Sequence, residues 1–120
     1  MDAASGPIAD PSQPAPAEAR RIGFVLVDRF SMISLTAAVE PLRAANMKLG
    51  RDAYRWRLIA PGAMAIPSSS GLTLHTDLAL EDVPERLDEF DALLVVTGSL
   101  REPDNTRAIT SVLRRADRRG

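Results

Sequence analysis

Two nearly continuous apolar runs constrain this chain more than anything else in it. They are Ile22-Gly23-Phe24-Val25-Leu26-Val27, stopped by Asp28-Arg29, and Asp91-Ala92-Leu93-Leu94-Val95-Val96, which passes into Thr97-Gly98-Ser99. A strand with one wet face alternates apolar and polar residues, so an unbroken run needs cover on both faces, and that is the condition of a strand inside a parallel sheet. The two runs are expected to be adjacent parallel strands, the second in the sheet centre.

Between them the periodicity changes. Leu35, Ala38, Val39, Leu42, Ala45 and Leu49 recur at intervals of three and four, one stripe of a helix, with Ser31 or Ser34 as N-cap and Gly50 as its end. Pro41 either sits near the first turn of a shorter helix or kinks a longer one. Tyr54-Arg55-Trp56-Arg57-Leu58-Ile59-Ala60 alternates apolar with basic residues, which suits an outer strand with one wet face. Leu72–Thr76 follows a small-residue stretch, Ser68-Ser69-Ser70-Gly71, and suits a short strand or hairpin arm. Beyond Pro103, with Asp104 or Asn105 as cap, Ala108, Ile109, Val112, Leu113 and Ala116 mark an amphipathic helix. Strand, helix, strand, then strand and helix is the beginning of a doubly wound α/β fold, and the expectation is a truncated unit with an exposed sheet edge.

Residues 1–20 are rich in Ala, Pro and Ser and are expected to form a disordered leader ahead of one domain over residues 21–120. The formal net charge of -1 supplies no field to hold nucleic acid by itself. With no cysteine and one histidine, His75, thiolate and histidine metal sites find no ligands, and no cofactor is expected. No apolar run is long enough to span a bilayer and no signal peptide is visible, so a cytoplasmic location without membrane contact is expected. Arg107, Arg114, Arg115, Arg118 and Arg119 read as a solvated helix face rather than a nucleic-acid patch. Tyr54 and Trp56 share one strand face and read as core rather than as an aromatic cage for an amine.

Ligands of open α/β sheets bind outside the carboxyl ends of the strands. Two loops leave such ends here. Asp28, Phe30, Ser31 and Ser34 on the first, with Thr97, Gly98 and Ser99 on the second, are therefore the candidate effector-binding residues. Backbone N–H groups of Gly98 and Ser99 would suit an anionic or carbonyl oxygen, although the same residues also suit a plain turn and a plain cap.

The segments Phe30-Ser31-Met32-Ile33, Val39-Glu40-Pro41-Leu42-Arg43-Ala44-Ala45-Asn46, Tyr54-Arg55-Trp56 and Ser70-Gly71-Leu72-Thr73 together resemble the N-terminal sensor domain of AraC-type transcriptional regulators, which is amidotransferase-like (PfpI/ThiJ-like). That resemblance implies a flavodoxin-like fold. It further implies a non-catalytic role in sensing a small nitrogen-containing metabolite, a possible homodimer, and DNA binding only through a helix-turn-helix domain beyond this chain. In hydrolytic relatives an acid after the first strand supports a cysteine nucleophile; the resemblance places that acid at Ser34, reads the relatives' Gly-Gly pair as Gly98-Ser99, and sets the nucleophile elbow after Gly120. A fragment of a PfpI-type amidase or protease is the alternative, and a free-standing interaction module a third reading.

Overall fold

The computed structural model describes residues 16–62, 65–98 and 106–119. In chain order the elements are β1 (Arg20–Leu26), α1 (Met32–Leu49), β2 (Tyr54–Ala60), β3 (Ala65–Pro67), β4 (Thr73–His75), β5 (Leu78–Ala79), a 3-10 segment (Leu80–Glu89), β6 (Ala92–Val96) and α2 (Thr106–Arg119). Four strands form a parallel sheet in the order β5-β2-β1-β6, and β3 and β4 pair separately as an antiparallel hairpin.

The two apolar runs are neighbours, as expected, with Ile22 opposite Ala92 and Leu26 opposite Val96. Their burial differs. β1 lies between β2 and β6, and Phe24, Val25 and Leu26 are fully buried. Phe24 and Leu26 face α1 through a cluster with Leu35 and Phe30, while Val25 and Val27 face the 3-10 segment and α2 through Leu80, Val83, Ile109 and Val112. Helical cover on both faces makes the sheet doubly wound, which is why β1 carries no alternation. β6 does not occupy the centre. Among the described residues it is the end strand of the sheet, with Leu94 46% and Val95 36% exposed. Its apolar run fits a strand covered on both faces, and here only its β1 edge is paired. The expected exposed sheet edge is this one.

β1 begins at Arg20, already paired with Tyr54, and Ala19 before it is buried. Residues 1–15, which hold most of the expected leader, lie outside the described residues, as do the candidate caps Asp104 and Asn105. Ser31 caps α1, its Oγ accepting from the Ser34 N–H at 3.2 Å. Gly50 ends the helix in the left-handed region at φ 70, its N–H donating to the carbonyls of Asn46 and Met47. Pro41 sits inside an unbroken 18-residue helix. The carbonyl it cannot serve belongs to Ala37, which is exposed, so water can take the missing donor's place.

β2 departs from the one-wet-face reading. Arg57 is half-buried: its Nη2 lies 2.7 Å from Glu89 Oε1, and its guanidinium sits 4.7 Å from the centre of the Phe90 ring. Trp56 packs into the cluster beneath α1, the core role expected of it. No helix among the described residues is long and apolar enough to cross a membrane.

At the amino-terminal ends of the strands, Arg21 and Asp91 lock β1 to β6. The Arg21 N–H donates to Asp91 Oδ2 at 2.8 Å, its Nε and Nη2 reach the same carboxylate at 3.2 and 3.3 Å, and the Asp91 N–H donates to the Arg21 carbonyl at 2.7 Å. The Arg21 side chain, and after it the Arg21 backbone N–H, hold the Asp91 carboxyl below the usual carboxylate range. A carboxylate depressed in the folded state contributes stability above its unfolded pKa of about 3.9, and the contribution is lost as pH falls through the lower folded value. The parent chain should therefore lose thermal stability below about pH 4 more steeply than Asp91→Asn. The difference will be small, because both side chains are about a third exposed and screened by water. Equal melting profiles for the two proteins between pH 6 and 3 would remove the pair from the acid response.

Candidate functional site

Three segments meet at the carboxyl edge of the sheet. The first is the β1–α1 loop, the second the exit of β6, and the third the tip of the β3–β4 hairpin. The Val27 N–H donates to the Val96 carbonyl at 3.1 Å, and the Ser31 N–H to the Thr97 carbonyl at 3.1 Å. The two loops singled out in the sequence are therefore joined main chain to main chain.

Within this edge the candidate residues have different duties. Phe30 is 0% exposed and belongs to the core beneath α1, so its ring is committed to packing. The Ser31 hydroxyl is committed to the helix cap. Asp28 and Ser34 are exposed, Ser34 in the first turn of α1, and Thr97 and Gly98 are exposed at the exit of β6. Ser99 lies outside the described residues. Gly98 packs its α-carbon onto the backbone of Arg29 and Phe30, and a Cβ built there would fall well inside contact distance of the Arg29 carbonyl oxygen. Glycine is needed at this position first because the chain's own backbone comes that close.

Two participants have no counterpart among the sequence candidates. Arg29 adopts φ 63, the left-handed region, which arginine seldom visits, and its N–H donates to the Pro67 carbonyl at 3.0 Å. The Ser69 N–H donates to the Phe30 carbonyl at 2.8 Å, and Phe30 forms an isolated parallel bridge with Ser68. Ser68 is buried, with its Oγ 3.0 Å from that of Ser70. The small-residue stretch Ser68–Gly71 was the available signal for this third segment. Nothing in the residue type of Arg29 announces its conformation. His75 lies exposed on β4, opposite Ala65. A cavity of about 240 Å³ opens at the other end of the sheet, between Phe90, Leu93 and Ala116, away from all the residues just described.

A doubly wound parallel sheet with its loops gathered at the carboxyl edge defines an α/β protein of flavodoxin-like fold. The fold matches a solved DJ-1 superfamily protein from Salmonella typhimurium with a TM-score of 0.64 at 19% identity, over 84% of this chain and 51% of that one. It also matches the AraC family transcriptional regulator from Pseudomonas putida with a TM-score of 0.68 at 29% identity, over 82% of this chain and 51% of that one. In sequence, the HTH-type transcriptional regulator GbdR of Pseudomonas aeruginosa is 35% identical over 99 residues, 82% of this chain. No family model matches. Over the stretch it shares with them, the chain's homologues are HTH-type transcriptional regulators of the AraC family. It spans about a quarter of the length of GbdR, 26%.

Proposed function

We propose that this chain is the non-catalytic, effector-sensing part of an AraC-type regulator, and that a small nitrogen-containing metabolite binds at the carboxyl edge of the sheet. The observation that carries the reading is the meeting of the β1–α1 loop with the exit of β6, through Ser31 and Thr97, in a chain 35% identical to a transcriptional regulator. The exposed Asp28 carboxylate offers a counter-charge to an amine, and the exposed Thr97 a hydroxyl that both donates and accepts. A serine at position 34, where the resemblance sets the hydrolytic acid, leaves a polar contact without a carboxylate. On this reading the remaining partners are DNA, reached by a helix-turn-helix region outside the 120 residues, and a second subunit.

The test is a titration of the purified chain with a panel of amino acids and small amines, followed by amide chemical shifts. Shifts should concentrate at Asp28, Ser31, Thr97 and Gly98. Asp28→Ala should weaken binding by roughly 10- to 100-fold, the loss expected for a charged hydrogen bond. Shifts confined to another part of the sheet, or an Asp28→Ala variant that binds like the parent, would refute the site.

A further inference from the structure

Arg29 is gripped from two sides. Its N–H is held by the Pro67 carbonyl of the β3–β4 hairpin, and its own carbonyl oxygen occupies the space that a Cβ on Gly98, at the exit of β6, would need. One residue further on, the Phe30 carbonyl takes the Ser69 N–H of the hairpin and the Ser31 N–H is given to the Thr97 carbonyl. The hairpin pairs with itself and not with the four-stranded sheet. Among the described residues its main-chain bonds to the β1–α1 loop are those two, at Arg29 and Phe30.

Among the described residues Arg29 is the one non-glycine at positive φ. An L-residue held there persists only when its surroundings over-determine the backbone. With either contact released φ is free to return to negative values, and a rotation of that size about the N–Cα bond re-aims the two peptide groups flanking Arg29 relative to each other. The two sides are thus linked through one backbone residue, whose left-handed and negative-φ regions are separate allowed wells.

We propose that Arg29 is the positioning residue through which occupancy of the carboxyl-edge crevice is relayed to the β3–β4 hairpin, so that the hairpin, with Leu72 60% exposed at its turn, is the surface that changes when effector binds. The relay rests on the sensing role proposed above, but its mechanical core does not need a ligand. A disturbance at Gly98 must reach Ser69, and a disturbance at Ser69 must reach Ser31.

The experiment is amide hydrogen exchange on the whole 120-residue chain, with two variants that act from opposite sides. Gly98→Ala pushes on the Arg29 carbonyl; the Arg29 and Ser69 amides should exchange at least tenfold faster while the Phe24 and Val25 amides, inside β1, keep their protection. Ser69→Pro deletes the donor to Phe30 from an exposed position; the Ser31 amide, bonded to Thr97, should exchange at least tenfold faster. A variant that perturbs only its own side overturns the relay. Should Gly98→Ala fail to fold, Ser69→Pro decides alone. Neither variant involves a ligand, so a failed effector titration refutes the sensing site and leaves this result standing, and the converse also holds.

Discussion

Replacing Asn46 by alanine should lower the unfolding free energy by about 3 kcal/mol, although the residue lies far from the candidate crevice and carries no charge. Asn46 is 1% exposed. Its Nδ2 donates to the Tyr54 carbonyl and its Oδ1 accepts the Tyr54 N–H, each at 2.9 Å, so one side chain satisfies both main-chain groups of the first residue of β2. Its own carbonyl accepts from the N–H groups of Gly50 and Arg51 and closes the end of α1. Alanine would keep that cap but leave a part-buried donor and acceptor on Tyr54 without partners, at about 1–2 kcal/mol for each group. Asn46→Asp should recover little, because it keeps an acceptor for the N–H but sets a carboxylate oxygen against the Tyr54 carbonyl. Urea denaturation reads the result as a lower midpoint at unchanged slope. A shift of less than about 0.5 kcal/mol for Asn46→Ala, the range of ordinary surface substitutions, would show that water replaces the amide.

This asparagine also shows where the sequence is legible and where it is not. The segment ending in Asn46 carries part of the family resemblance, yet its periodicity marks only which residues face the sheet. Asparagine in the last turns of a helix reads as a weak helix former until Tyr54 is seen opposite it. The apolar strands are plain because burial on both faces leaves a one-dimensional trace, and their pairing follows. The central position expected for β6 does not, since an apolar run records what a strand can pack against and not what lies beside it.

The basic residues of β2 mislead for a related reason. Alternation of Arg with Trp and Leu looks like a wet face, but Arg57 is matched by Glu89 and Phe90, some thirty residues on. Those partners come with a 3-10 segment that buries Leu80, Val83 and Leu87. That spacing of three and four was present in the sequence, with Pro84 inside it discouraging a helical reading. At the candidate site, the strand ends could be located from the runs themselves. The left-handed Arg29 could not, because it is imposed by contacts on both of its sides.

Gly23→Val should be the most damaging single change in the sheet, at about 3 kcal/mol, the upper end of the usual cost of overpacking a core. Gly23 stands on β1 between Arg57 of β2 and Leu93 of β6. A Cβ there would lie 2.7 Å from Leu93 Cδ2, 2.8 Å from Ile59 Cδ1 and 3.0 Å from the Phe90 ring. Three side chains already fill the volume, and the two from β2 and β6 are fixed by strands hydrogen-bonded to β1 on either side. The side chain with most freedom to yield is Phe90, outside the sheet. Moving it takes the ring from beneath the Arg57 guanidinium and loosens the end of the 3-10 segment. Gly23→Ala should cost about 1 kcal/mol by the same crowding, partly offset by the lower chain entropy of alanine when unfolded. Leu93→Ala opens the space a valine needs, so the double variant Gly23→Val with Leu93→Ala should be less destabilised than the sum of the two single changes, by roughly 1–2 kcal/mol. Simple additivity in thermal or urea unfolding would mean that the valine is relieved elsewhere, and that glycine is not at position 23 to make room for its neighbours.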